Sequence, residues 1–147
     1  MRLSTAVRYG ARVLTELAIA YPDGVVPVRE IAERQRVSAK YLEHILKSLR
    51  TAGLVRAARG SRGGYSLTRS PEAITLKEVY ESLAGSLAPV ECVDCPDSCS
   101  MHATCPTRET WVELRDAIEQ VLGRTRLLDL VERRKRQTLS SPLIYHI

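Results

Sequence analysis

The chain has 147 residues, 44% of them hydrophobic and 27% charged, with a net charge of +5. That balance suits a globular protein long enough for one core plus an assembly element. No apolar run reaches the roughly eighteen residues of a membrane span, and Met1-Arg2-Leu3-Ser4 opens straight into an amphipathic pattern with no export signal, so a cytoplasmic protein without a membrane partner is expected. The charge is uneven. Residues 1–84 hold 14 Lys and Arg against 8 Asp and Glu, a surplus of +6, whereas residues 85–110 carry −3 and residues 111–147 carry +2. A basic front half ahead of an acidic segment points to a polyanion partner for the front half alone.

Ser4 is placed to cap a first helix, with Leu3, Val7, Gly10, Leu14, Leu17 and Tyr21 recurring at three- and four-residue steps. Pro22-Asp23-Gly24 stops it. Arg8 and Arg12, one turn apart, share a face that is either solvated or in contact with phosphate. From Val25 to Gly53 the pattern is helix, short turn, helix. Val28–Gln35 forms two turns with Ile31 and Ala32 inward, Arg36-Val37 turns the chain, and Ser38 caps a helix from Ala39 to about Ala52. Gly53 closes that helix. Leu42, Ile45, Leu46 and Leu49 form its buried stripe, so Lys40, His44 and Lys47 face away and Tyr41 lies at the flank. This is the helix-turn-helix layout, in which the second helix enters the major groove of double-stranded DNA N-terminus first. Ser38, Lys40 and Tyr41 are then the groups nearest phosphates and base edges.

Residues 54–59 and 65–67 read as two short strands around Gly60-Ser61-Arg62-Gly63-Gly64. A glycine-rich hairpin bearing Arg59 and Arg62 directly after such a helix is a wing, its arginines suited to backbone phosphates or the minor groove. Its glycines permit positive φ and close backbone approach. A nucleotide-binding loop is the rival reading, and it fails because no helix opening with a Lys-Ser/Thr pair follows. Thr75-Leu76-Lys77-Glu78 is a capping box with Ile74 and Val79 as its hydrophobic staple. The helix it starts should bury Leu76, Val79, Tyr80 and Leu83 and end at Gly85.

All four cysteines fall within fourteen residues, spaced C-x2-C-x3-C-x5-C from Cys92 to Cys105, with His102 between the last two. The segment has neither helical nor strand periodicity and reads as a functional loop. Thiolates are soft ligands that suit zinc or iron–sulfur clusters. Disulfides are disfavoured because cytosolic thiols stay reduced, and idle cysteines are usually buried singly rather than set among Asp94, Asp97 and Ser98. After Cys105-Pro106, Thr107 is placed to cap a long helix with Trp111, Leu114, Ile118, Val121 and Leu122 on one stripe. Gly123 and Thr125 mark a break before Leu127, Leu128, Leu130 and Val131. A second copy of the chain is the economical cover for the long stripe, and two-fold symmetry matches palindromic operators. Arg133-Arg134-Lys135-Arg136 and the residues beyond read as a solvated tail without a site. His44, His102 and His146 lie far apart and no nucleophile–base motif is visible, so neither an enzyme nor a small-molecule substrate is expected.

Met1-Arg2-Leu3-Ser4, Arg8-Tyr9-Gly10, Tyr41-Leu42-Glu43-His44-Ile45-Leu46, the Gly60–Tyr65 wing and Cys105-Pro106-Thr107-Arg108-Glu109-Thr110-Trp111 together resemble the Rrf-two family, the IscR/NsrR-type winged-helix regulators. The resemblance runs from Met1 to about Val131. It implies a mainly helical fold with a small β-hairpin wing, a homodimer formed through the long C-terminal helix, and a transcription regulator controlled by an iron–sulfur cluster that senses cluster status, redox state or nitric oxide. It also implies that Ser38, Lys40, Tyr41 and Glu43 read DNA, that Arg59 reaches the groove, and that Cys92, Cys99 and Cys105 hold iron. The pattern departs at the fourth ligand. The family's alternatives, a histidine three residues after the last cysteine or an acidic residue in the first helix, are here Arg108 and Arg8, and a guanidinium does not ligate iron. Cys95 is therefore the preferred fourth ligand and His102 the second choice, with 2Fe–2S preferred to 4Fe–4S. Structural zinc and a direct cysteine redox switch are the alternatives. The expected division is a winged helix-turn-helix DNA-binding domain at 1–84, a cluster-binding loop at 85–106, a dimerisation helix region at 107–131 and a flexible basic tail at 132–147.

Overall fold

The computed structural model describes residues 3–140. Helix α1 (Thr5–Ile19) starts where Ser4 Oγ accepts the Val7 N–H at 3.2 Å. It is the central helix of the fold, packing against α2 (Val28–Gln35), α3 (Ala39–Thr51), the wing, α4 (Leu76–Ala84) and α7 (Leu127–Ser140). Its buried face is Val7, Gly10, Val13, Leu14, Leu17 and Ala18, whereas Leu3 and Tyr21, expected on the stripe, are exposed because they lie beyond the helix ends. Among the described residues no helix is long and apolar enough to cross a membrane.

Helices α2 and α3 join through Arg36, which takes the left-handed conformation at φ 54°, and the Val37 N–H returns to the Ala32 carbonyl. Ser38 Oγ then accepts the Tyr41 N–H at 3.2 Å and starts α3. At its far end the Gly53 N–H reaches the Arg50 carbonyl and the Leu54 N–H the Leu49 carbonyl, with Gly53 at φ 75°. This is a Schellman closure, which glycine permits without steric cost. Leu42, Ile45, Leu46 and Leu49 are all essentially sealed from solvent.

Strands β1 (Val55–Ala58) and β2 (Gly64–Leu67) pair antiparallel, Val55 opposite Leu67 and Ala58 opposite Gly64. Val26 adds one rung on the other side of β2 by exchanging both backbone hydrogen bonds with Tyr65. The rung passes so close that a Cβ on Gly64 would sit 2.3 Å from the Val26 carbonyl oxygen and 2.8 Å from the Pro27 nitrogen. Both obstacles are backbone and do not yield. Gly64→Ala is therefore expected to cost about 1–3 kcal/mol as overpacking, read as a lower denaturation midpoint at unchanged m-value.

The capping box at α4 forms as the sequence implies: Thr75 Oγ1 accepts the Glu78 N–H and Glu78 accepts the Thr75 N–H. Of the four apolar residues assigned inward there, Val79 is fully buried, and Leu76, Tyr80 and Leu83 are half-buried. The cysteine segment is not a featureless loop. It contains the one-turn helix α5 (Glu91–Asp94) and a 3-10 turn at Pro96–Ser98, too short for any periodicity to register in the sequence. Helix α6 (Arg108–Arg124) follows and rests on α4 and α5.

The basic tail expected from residue 132 requires correction. Helix α7 continues through those positions to Ser140 and packs along α1, with Leu127 and Val131 in the core cluster. Its start is anchored where the Leu76 N–H meets the Thr125 carbonyl and the Leu127 N–H meets the Ile74 carbonyl. The C-terminal part of the assigned dimerisation region thus belongs to the winged-helix core, because the break at Thr125 folds the chain back. Residues 141–147 of the expected tail lie outside the described residues.

Candidate nucleic-acid interface and cysteine segment

The recognition helix α3 presents Ser38, Lys40 and Glu43 exposed at its N-terminal end, with His44 and Lys47 exposed further along. Arg59 and Arg62 are exposed on the wing, whose tip turns at Gly60 with φ 106°. Neighbouring Arg56 donates from Nε to Ser66 Oγ at 3.1 Å, tying the two wing strands together. Tyr41 is half-buried, and its ring meets Tyr9 edge-to-face, with centroids 6.0 Å apart and planes at 88°. The guanidinium groups of Arg8 and Arg12 stand 5.8 and 5.3 Å from the Tyr9 ring centre. The fold thus brings two α1 cations beside the start of the recognition helix. Sequence reasoning paired Arg8 with Arg12 but not with Tyr41, because the contact spans about thirty residues and has no periodic signal.

The cysteines lie at the joint between the winged-helix core and α6. Cys92 is half-buried on α5, Cys95 is exposed at its end, Cys99 follows the 3-10 turn, and Cys105 precedes α6. All four are free thiols. Val93, beside Cys92, is 5% exposed, and Arg115 of α6 lies 3.9 Å from Asp94. His102 sets its Nδ1 3.1 Å from the Cys99 carbonyl oxygen. A carbonyl only accepts, so Nδ1 is the donor in this contact and Nε2 is the ring nitrogen turned away from it, the one a ligating histidine would offer. Arg108 and Glu109 join His102 and Cys105 around a small cleft, and Arg108 Nε is buried without an acceptor among the described residues.

This donor set has the chemistry of a metal or cluster site. Its present arrangement does not: among the described residues no three His, Cys, Asp or Glu groups stand close enough to ligate one ion.

Thr107 does not cap α6 with its side chain as expected. Its hydroxyl lies 3.4 Å from Cys105 Sγ instead. That hydrogen bond, helped by the Thr107 backbone and opposed by partial burial, holds the Cys105 thiol below the usual thiol range. A lowered pKa means more thiolate at a given pH, and the thiolate is the nucleophile. Alkylation of Cys105 in metal-free protein is expected to reach its half-maximal rate at lower pH than an ordinary thiol, and Thr107→Val should move that midpoint upward. Peptide-resolved iodoacetamide labelling across a pH series checks both.

Helix α6 has no fully buried residue. Leu114 and Val121 are 37% and 48% exposed, and Ala117, Ile118, Val121 and Leu122 line an apolar groove. Lys77 of α4 pairs with Glu119 of α6 beside that stripe.

Comparison with known proteins agrees with this architecture. The family model described as Rrf2, iron-dependent transcriptional regulator, matches residues 3–133. The HTH-type transcriptional regulator CymR of Bacillus subtilis strain 168 is 38% identical over 130 residues, covering 88% of this chain and 89% of that protein. The solved structure of T. potens IscR superposes with a TM-score of 0.79 at 30% identity, covering 99% of this chain and 97% of that one. Staphylococcus aureus CymR in its oxidized form gives a TM-score of 0.72 at 33% identity over 90% of this chain and 97% of that one. A recognition helix, a glycine-tipped wing and these relatives identify a winged-helix DNA-binding protein of a non-enzymatic class, and the chain belongs to the Rrf2 family of transcriptional regulators.

Proposed function

We propose that this regulator acts in the cytoplasm as a homodimer on a palindromic operator, and that the chemical state of the Cys92–Cys105 segment sets its operator affinity. The observation carrying the proposal is the position of the four thiols on the one segment that connects α4 to α6. Ser38, Lys40, Tyr41 and Glu43 lie against the major groove, and Arg59 and Arg62 reach from the wing. Cys92, Cys99 and Cys105 would hold an iron–sulfur cluster, 2Fe–2S in preference to 4Fe–4S, with Cys95 or else His102 as fourth ligand. Such a cluster supplies a centre that responds to oxidants, nitric oxide and iron supply. Ligation reorders residues 91–106, and the packing of α5 on α6 together with the Asp94–Arg115 pair passes the change to α6. The spacing of the two recognition helices then differs between states, which is the differential affinity a switch requires.

An absorption spectrum of protein purified without oxygen, with iron, acid-labile sulfide and zinc assayed on the same sample, tests this directly. Visible charge-transfer bands with matching iron and sulfide are expected, as is loss of cluster-dependent operator affinity on replacing Cys92, Cys99 and Cys105 by alanine. Colourless protein that resists cluster reconstitution removes the cluster, and equimolar zinc would then assign the segment a structural metal.

A direct thiol switch is the second reading, favoured by four unbridged and partly accessible cysteines and by the similarity to a CymR solved in oxidized form. Its mark is reversible control of DNA binding by peroxide and dithiothreitol in metal-free protein.

A further inference from the structure

Two helix closures in this chain share one backbone pattern but not one residue type. At the end of α3 the Gly53 N–H reaches the Arg50 carbonyl at 2.9 Å and the Leu54 N–H reaches Leu49 at 3.0 Å. At the end of α2 the Arg36 N–H reaches the Glu33 carbonyl at 3.2 Å and the Val37 N–H reaches Ala32 at 3.0 Å, in the same register. The pivot of each is left-handed, Gly53 at φ 75° and Arg36 at φ 54° and ψ 48°. Glycine takes that conformation freely, whereas the Cβ of an L-residue crowds its carbonyl there. Among the described residues Arg36 is the only non-glycine with positive φ. Such an outlier is tolerated where the side chain has a use.

Nothing within the chain supplies that use. The Arg36 side chain is exposed and has no hydrogen-bond, ion-pair or ring partner among the described residues. A cation suits the C-terminus of α2, but Arg34 already occupies its last turn. The closure at Arg36 differs from the one at Gly53 in its place. It is the turn of the helix-turn-helix, two residues before Ser38, whose side chain starts α3. Two residues of extended chain span about 7 Å, which puts Arg36 close to the exposed Ser38 and Lys40.

We infer that Arg36 contacts a phosphate of the DNA backbone bordering the groove that α3 enters, and so fixes the entry of that helix. A guanidinium matches two phosphate oxygens at once. The contact positions α3 and reads no base. The chain thus keeps an arginine where glycine would make the less strained turn. This role rests on the groove docking of α3 proposed above.

The test is fluorescence anisotropy of the full-length protein over a salt series, with a labelled duplex that the protein itself selects from a random pool, beside thermal melting of the same samples. Arg36→Gly should melt at the parent's temperature or higher, because the strain is relieved. Its affinity should nevertheless fall about tenfold or more at low salt. Its plot of log Kd against log salt should be shallower by about one unit for each recognition helix bound. The loss should be equal on the selected duplex and on a scrambled one. Arg36→Lys keeps the charge and should keep the parent's slope. Arg136→Gln, which removes one exposed charge from α7, should leave the slope unchanged.

Parental affinity and slope in Arg36→Gly overturn the inference. So does a lower melting temperature with an unchanged slope, which would make the arginine a stabiliser of α2. Equal flattening by Arg136→Gln also overturns it, since net charge alone would then be at work. Lys40→Ala separates the two failures. If it weakens binding while Arg36→Gly does not, only the role of Arg36 falls; if neither matters, the docking of α3 falls with it.

Discussion

Glu16→Ala is expected to lower the stability of the fold by about 2–3 kcal/mol. The carboxylate is buried in the middle of α1 and joins three elements at once: Gln35 and Arg34 of α2, and Arg134 of α7. Removing one member of a buried charged set typically costs about 3–5 kcal/mol. The figure is reduced here because the Arg34 and Arg134 side chains are 49% and 44% exposed and return to water. Gln35 cannot, and its stranded amide accounts for most of the loss. For a chain of this length the change corresponds to a melting temperature lower by about 5–10 °C. Arg134→Ala should cost distinctly less, since it leaves Gln35 and Arg34 in place. Equal melting temperatures for wild type and Glu16→Ala would mean that α7 is not held to α1 through this carboxylate.

Val121→Asp should act on function rather than folding. Val121 is 48% exposed on the uncovered stripe of α6, so a charge there is hydrated in an isolated chain and would be buried only in the proposed dimer. A desolvated carboxylate without a partner is costly at an interface. The substitution is expected to give a folded monomer in sedimentation experiments, with the circular dichroism of the parent. Operator affinity should fall by at least about 100-fold, the loss that follows when two linked half-site contacts become independent. A Val121→Asp chain that remains dimeric and binds as the parent does would move the interface elsewhere.

Much of the architecture was legible before any coordinates. The caps at Ser4, Ser38 and Thr75, the closure at Gly53 and the stripe from Leu42 to Leu49 depend on contacts within a few residues, and each fell where the residue types placed it. The wing was equally readable, because a glycine cluster between two short apolar stretches restricts the chain to a hairpin. Thr107 failed for a local reason: its hydroxyl had two available partners, and Cys105 Sγ took it from the helix N-terminus. The cysteine spacing announced thiol chemistry, but not the two short helical turns that carry the segment.

The basic run at Arg133–Arg136 is solvent-exposed as expected, but it lies on the packed helix α7 rather than in a flexible tail. Arg134's partner Glu16 lies 118 residues away, so no local pattern in the sequence announces that pair. Charges are paired across space by the packing of α7 on α1, which follows from burying Leu127 and Val131. Short-range stereochemistry thus wrote the helices, the turn and the wing into the chain locally. The buried carboxylate network, the Tyr9–Tyr41 contact and the choice of which stripe stays uncovered came only with tertiary packing, because each joins residues whose separation carries no periodic or local signature.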